Sequence, residues 1–434
     1  NGSVAKRGKV ALDVSPQATA EFVIPVTVTV GKPGVEYFVH FSVVTRQAEP
    51  LIPIGHEIAQ EQFRLPLETE KDSYEASGKA LGWKAENGKV VVSSSNVYFE
   101  LDKATGMVTS YKVNGTEFFD KAFGVQPNFW RAPNDNDYGN SNPKRLQIWK
   151  ESSRDFKVSD TAVREEGETV LMSVTYDLPA GNQYLITYRI YRDGVVNVNV
   201  KFTQTDREAE KTEVLEDTNL ATFTPGKKVK KKDVLEVPRI GVRFRIPHVM
   251  NRVEYFGRGP VENYVDRNAG SMVGRYKTSV EEMYVNYVRP QENGHRTDTR
   301  WVSFTNTVGR GLLVLAEKTI GFNALQNTVE DFDSEESSHP YQWRNRSPKE
   351  VAGKNEAEAK NVLRRMTHVN DITPRDFVEV CIDMKQQGVA GYDSWGAKVQ
   401  PGYTIPANRD YVWGFTLIPI KNVGDVNKSL RYTY

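Results

Sequence analysis

The chain has 434 residues, long enough for about two to three domains rather than a single core. Its 57 lysines and arginines nearly balance 56 aspartates and glutamates, a net charge of +1 that excludes the broad field of a nucleic-acid or acidic-membrane binder. One cysteine, Cys381, excludes an intrachain disulfide framework and a cysteine-based zinc site, and no apolar run approaches the roughly 18 residues of a membrane-spanning helix.

The amino end, NGSVAKRGKVALDV, has no apolar signal-peptide core. It opens on turn residues, so we expect upstream sequence to have been removed or to lie in another polypeptide. Residues 10–14, 22–30 and 37–44 alternate as short strands, with Gly31, Pro33 and Gly34 between the last two. They predict part of a small antiparallel sandwich ending near Leu65. Residues 68–88 are charged and glycine-bearing, as suits a linker with one edge strand. From Val90 a larger unit begins. Residues 97–101 and 107–113 read as a hairpin, as do 184–191 and 195–202 across Asp193-Gly194. Pro143 after Asn142 predicts a short helix over 144–149. Ile240, Val242, Phe244 and Ile246 alternate with Arg243 and Arg245, which predicts one apolar and one solvated face. Cys381 falls in an alternating strand, as a buried thiol would, and 411–418 closes the chain as a strand. The lysine run 227–232 reads as a solvated loop. Residues 347–366 suit either a surface helix or a disordered insertion. The class is all-β, with a large antiparallel sandwich.

Four motifs are richer in chemistry than strands require. RAPNDNDYG (131–139) sets Arg131 beside Asp135 and Asp137, weak candidates for Ca²⁺, although Asx turns explain the same residues. FGRGPVENYVDRNAG (256–270) and YVRPQENGHRTDTRW (287–301) pack carboxylates, amides and arginines among aromatics. We expect loop networks of Glu262, Asn263, Asp266 and Arg267, and of Glu292, Asn293, Arg296 and Arg300. His295 could serve as a base, but loop packing is the preferred reading. GYDSWG (391–396) holds Trp395 on a polar turn, where an indole offers a flat apolar face and an N–H donor.

These motifs, in this order, resemble family 2 glycoside hydrolases, the β-galactosidases. KVALDVSPQ (9–17) and GHEIAQEQFRL (55–65) are similar to the end of that family's immunoglobulin-like linker domain. LDKATGMVTSYKVNG (101–115), NFWRAPNDNDYG (128–139), the two islands and GYDSWG resemble its small-chain domain. The resemblance implies a partial immunoglobulin-like sandwich over 1–69, incomplete at its amino end. It implies a galactose-mutarotase-like supersandwich over 70–434. It also implies a parent that hydrolyses terminal β-galactosides with retention, with both catalytic glutamates on a barrel outside this chain. No residue here is then catalytic, which sets aside Glu262 and Glu292 as an acid–base pair.

Trp395 would stack on the leaving sugar, with Asp393 and Arg131 as further substrate-side candidates. The family's Mg and Na ions would sit mainly on the barrel, and this chain would hold no cofactor. The implied partners are a β-galactoside and the catalytic barrel, with homo-oligomerisation open and neither nucleic acid nor membrane involved. The implied protein is soluble and bacterial, cytoplasmic or periplasmic. Two other readings stay open: the small subunit of a two-chain β-galactosidase, and a stand-alone carbohydrate-binding or mutarotase-like domain. The stretch between Thr328 and Val378 is more polar than in typical members, and an insertion there would reshape the substrate entrance or be inert surface.

Overall fold

A computed structural model describes residues 2–24, 31–67, 69–179, 181–204, 236–333, 368–393 and 396–434. Two units emerge, one from Asn1–Tyr74 with Val426–Tyr434, the other Glu75–Asp425. Strands dominate both, and the helices are short. The lysine run 227–232, the 347–366 segment, most of the polar stretch after Thr328, Ser394 and Trp395 lie outside the described residues.

In the first unit, Tyr37–Val44 pairs antiparallel with Glu57–Leu65, the strand that carries most of the GHEIAQEQFRL motif. Asp72–Ser73 pairs in parallel with Tyr432–Thr433. Residues 10–14 and 22–24 depart from expectation: they form no strand, and residues 25–30 lie outside the described set. Val10, Leu12, Val14 and Val23 are exposed, Val23 at 97%. Alternation makes a segment fit for a sheet, but a strand forms only when a neighbour takes up its backbone N–H and C=O groups.

The second unit is built from two sheets. A five-stranded antiparallel meander runs Gly82–Glu86, Lys89–Ser93, Val97–Asp102, Val108–Val113 and Thr116–Glu117. Two of its turns are Asn-Gly pairs with positive φ at both residues, 51° and 75° at Asn87-Gly88 and 50° and 78° at Asn114-Gly115. That geometry matches the twist of paired strands and suits these two residue types. The second sheet has 12 described strands. Its expected hairpin pairs Gln183–Ile190 with Val196–Thr203 in unbroken register, Tyr184 opposite Phe202 and Ile190 opposite Val196. Tyr184, Ile186, Tyr188 and Ile190 all point into the core, as their period of two requires.

The sheets meet through one apolar core. The Phe99 ring of the meander lies 5.5 Å from the Tyr188 ring of the large sheet. Burial of each such side chain contributes about 1.5–3 kcal/mol. Buried hydroxyls tie the same seam: Tyr111 donates to Gly194 O at 2.6 Å, and Tyr176 to Gly106 O at 2.7 Å.

The Arg239–Pro247 strand corrects a second expectation. Ile240, Val242, Phe244 and Ile246 do enter the core. The opposite face is largely closed to solvent, for Arg239 is 0% exposed and Arg243 is 7%, while Arg245 is partly exposed. The strand pairs with Phe377–Gln386, which in turn pairs with Gly311–Leu325. On this second face, arginines of one strand meet Glu379 and Asp383 of the next. Paired charges can be buried where unpaired ones cannot.

Candidate functional site: a loop clamped where the motifs converge

The RAPNDNDYG motif folds into a single helical turn, Asp135–Gly139, capped by Asn134. Asn134 Oδ1 accepts from the Asp137 amide at 2.9 Å, and Asp137 returns the bond to the Asn134 amide at 3.0 Å. Asp137 also receives both guanidinium nitrogens of Arg131, at 2.6 and 3.0 Å, and Asn142 Nδ2 at 2.7 Å. Burial pulls the Arg131 pKa down, but Asp137 outweighs it and holds the group above its ordinary value. Asp137 is thus committed to internal donors, and Asp135 is an exposed partner of Arg289 at 3.3 Å. Among the described residues, no three His, Cys, Asp or Glu side chains group as metal ligands would.

Residues of the 131–139 motif and of the 256–270 island hold the described residues of the 388–397 loop. Arg131 donates to Gly388 O at 3.3 Å and Asn134 Nδ2 to Val389 O at 3.0 Å. Asp266 accepts from the amides of Val389 and Ala390 at 3.0 and 2.8 Å. Asn136, with its amide turned to satisfy both contacts, accepts from the Gly391 amide and donates to Asp393 O, each at 3.2 Å. Beyond the turn, Asn140 Nδ2 donates to Ala397 O at 3.3 Å, and Asp393 accepts from the Ala397 amide at 3.1 Å. Gly396 has φ 88°, and a Cβ there would lie 2.4 Å from the Gly139 carbonyl carbon. The described residues flanking Trp395 are therefore anchored on both sides.

The two islands interlock. Asn263 Oδ1 accepts from the Thr297 amide at 3.0 Å, and its own amide donates to His295 O at 2.9 Å. Glu262 accepts from Arg267 at 2.7 Å, from the Gly294 amide at 2.9 Å and from the Tyr287 hydroxyl. In the second island, Asn293 accepts from the Val285 amide at 3.2 Å and donates to Gln291 O at 2.9 Å. Arg296 donates to the Tyr255 hydroxyl at 3.2 Å and to Gly294 O at 3.1 Å. Arg300 donates to Asp298 O at 2.5 Å and lies over the Phe256 ring. Glu292 turns away from the island to Arg239 at 3.0 Å.

That pair opens onto a buried centre that no sequence motif marked. Arg239 is wholly buried and also faces Asp383 at 3.3 Å and Gln386. Asp383 sits between two glycines in register, Gly241 on one neighbouring strand and Gly321 on the other. A Cβ on Gly241 would come within 2.1 Å of Asp383 Oδ1. Gly241 thus leaves room for the carboxylate, while Gly321 leaves room for the His295 ring, whose Cε1 would lie 2.6 Å from a Cβ there. Burial pushes the Asp383 pKa up to about 7, against the pull of Arg239 and with a further push from Glu292. His295 Nδ1 lies 3.8 Å from Asp383, and its ring stacks on Tyr264 at 5.5 Å. Burial, with Arg239, Arg296 and Arg131 nearby, holds the His295 pKa well below its usual value, so the imidazole is neutral. Beside this centre lies a cavity of 10 Å³ lined by Glu292, Asn323 and Cys381 among others, room for about one water.

A pH effect follows. The folded pKa of Asp383 is about 7, above the unfolded value near 3.9, so the folded state holds the proton more tightly. That contribution is complete below about pH 4 and is lost as pH rises through about 7. Asp383→Asn is neutral at every pH and should gain stability relative to the parent sequence across that window, by at most about 4 kcal/mol. Urea denaturation at pH 4, 6 and 8 measures it; a stability difference independent of pH would contradict the assignment.

Comparisons with known proteins place the chain in one family. The family model described as beta galactosidase small chain matches residues 93–417, and that for beta-galactosidase domain 4 matches 1–66. A beta-galactosidase of Priestia megaterium is 31% identical over 97% of this chain, which spans 35% of that protein. One from Streptococcus thermophilus is 27% identical over the same share of the chain, again 35% of its own length. A solved structure from Lactobacillus acidophilus, described as a galactose mutarotase related enzyme, covers 77% of this chain and is itself covered at 98%. Its 8% identity and TM-score of 0.36 are too slight to define topology. This chain spans about a third of the curated relatives it matches, and it belongs to the β-galactosidase small-chain family.

Proposed function

We propose that this chain is the carboxy-terminal part of a family 2 β-galactosidase and completes its sugar site while bond cleavage is carried out elsewhere in the parent. The observation that carries the reading is the match to β-galactosidases along 97% of the chain but only 35% of theirs. Retaining hydrolysis needs a nucleophile and an acid, two carboxyl groups about 5–5.5 Å apart across the scissile bond. The two carboxylates of the islands are otherwise engaged: Glu262 with Arg267, Tyr287 and the Gly294 amide, and the buried Glu292 with Arg239. The parent's barrel would supply the catalytic pair, along with the sites for Mg and Na ions.

In this reading the 391–396 loop forms one wall of the sugar site. Trp395 offers its indole to the leaving or accepting sugar, and the exposed Asp393 precedes it by two positions in the sequence. Arg131 acts from behind, since its guanidinium is buried against Asp137 and Gly388 O. In the complete enzyme, Trp395→Ala should weaken leaving-sugar and acceptor binding by about 1–3 kcal/mol while leaving the fold intact. Thermal melting together with lactose and acceptor kinetics on the same variant tests this. A large fall in melting temperature with unchanged kinetics would make Trp395 structural.

A further inference from the structure

We propose that Asp266 is a positioning residue for the sugar site, because its carboxylate clamps the backbone of the 388–393 loop. The proposal rests on the reading of that loop as a wall of the site.

The clamp begins with local structure. Tyr264 and Arg267 bond across a tight turn, the Arg267 amide to Tyr264 O at 2.7 Å and the Tyr264 amide to Arg267 O at 3.3 Å. Tyr264 is buried, so the turn is rooted, and Asp266 stands near its tip. Asp266 does not close an ion pair with the adjacent Arg267, which reaches Glu262 instead. Its two oxygens go one each to the successive amides of Val389 and Ala390, at 3.0 and 2.8 Å. Ala390 has φ 55°, in the left-handed region that costs an alanine energy. Beside it, two successive N–H groups, of Val389 and Ala390, converge on one carboxylate, as they do on anions in a nest. A charged acceptor bonds such amides more strongly than a neutral one.

Gly388 supplies a second, steric observation. A Cβ there would lie 2.3 Å from Asp266 Oδ2 and 2.5 Å from its carboxyl carbon. The loop thus lacks a side chain at the point where the carboxylate comes closest. The clamp is also complementary to the other holds on the loop. Arg131 and Asn134 take the carbonyls of Gly388 and Val389, and Asp266 takes the amides that follow. Asp266 therefore couples the 262–270 island to the loop, and the conformation of 388–393 depends on its charge.

Two variants separate charge from space. Asp266→Asn keeps the shape but offers one acceptor oxygen and sets an NH₂ group against an amide. Gly388→Ala keeps the charge and pushes the carboxylate away. On the 434-residue chain, hydrogen exchange at Val389 and Ala390 should accelerate by about tenfold or more in each variant, with little change in the strands. In a complete β-galactosidase carrying this chain, both should raise the acceptor KM by about three- to tenfold while kcat on an activated chromogenic galactoside holds within about twofold. Unchanged exchange in both variants would overturn the clamp. Faster exchange with unchanged KM would overturn the positioning role if Trp395→Ala does raise KM. If Trp395→Ala leaves KM unchanged as well, it is the reading of the loop as a sugar-site wall that fails, and the proposal fails with it.

Discussion

Arg239→Met should destabilise the second unit by about 3–5 kcal/mol, the cost typical of removing one partner from a buried ion pair. Arg239 faces two carboxylates, Glu292 at 3.0 Å and Asp383 at 3.3 Å, and both are almost fully buried. It also donates to Trp130 O at 3.2 Å, so it joins the large sheet to the segment that leads into Arg131. Methionine fills much of the same volume, which makes the expected loss mainly one of uncompensated charge rather than of a cavity. The loss should shrink in acid, where Glu292 and Asp383 take up protons and no longer need the guanidinium. Burial pushes both carboxyl pKa values upward, that of Asp383 to about 7, so the relief at Asp383 begins near neutrality rather than near pH 4. Denaturant midpoints at pH 5 and pH 8 measure the effect. A loss below about 1 kcal/mol at pH 8 would show that the two carboxylates are neutral or satisfied without Arg239.

Much of this architecture is legible in the chain because strand alternation and turn chemistry agree. Tyr184, Ile186, Tyr188 and Ile190 alternate toward the core on one side of Asp193-Gly194, and Val196, Val198 and Val200 do so on the other. Pro143 does mark a helical turn, Asn142–Arg145, but the expected helix over 144–149 is divided: Ser141 stands at the N-cap, and a second turn, Gln147–Ser152, follows a break at Leu146. The same pattern reading fails at Arg243. Alternation of apolar residues with arginine looks alike whether the polar face meets water or meets carboxylates from a neighbouring strand. The difference resides in Glu379 and Glu330, more than 80 positions away. Residues 10–14 fail in the opposite sense, having strand composition but no partner strand among the described residues.

The candidate site divides in a similar way. Each motif could be recognised by its density of Asn, Asp, Arg and Gly, and the structure brings residues of the motifs at 131–139, 262–267 and 388–397 together. Who bonds whom was not legible, because it depends on register and loop closure. Asp266 looks like a partner for Arg267, yet it meets backbone amides more than 120 residues away. Asp137, a weak Ca²⁺ candidate for which turn chemistry is the preferred reading, gives its oxygens to a guanidinium, an amide and a side-chain carboxamide. The buried centre at Asp383 left one faint trace, glycines at 241 and 321 inside otherwise apolar strands. Glycine there signals close approach of another group.

In the proposed function, this chain completes a β-galactosidase without containing its bond-cleaving groups. The most direct measurement is turnover of a chromogenic β-galactoside by the pure 434-residue chain, by a parent enzyme truncated to lack the matching region, and by the two mixed. No turnover above background is expected from the chain alone, and a gain of activity is expected on mixing, since about two-thirds of the relatives' length and the proposed catalytic carboxylates lie outside this chain. Turnover by the pure chain that survives contaminant controls would contradict the proposed function.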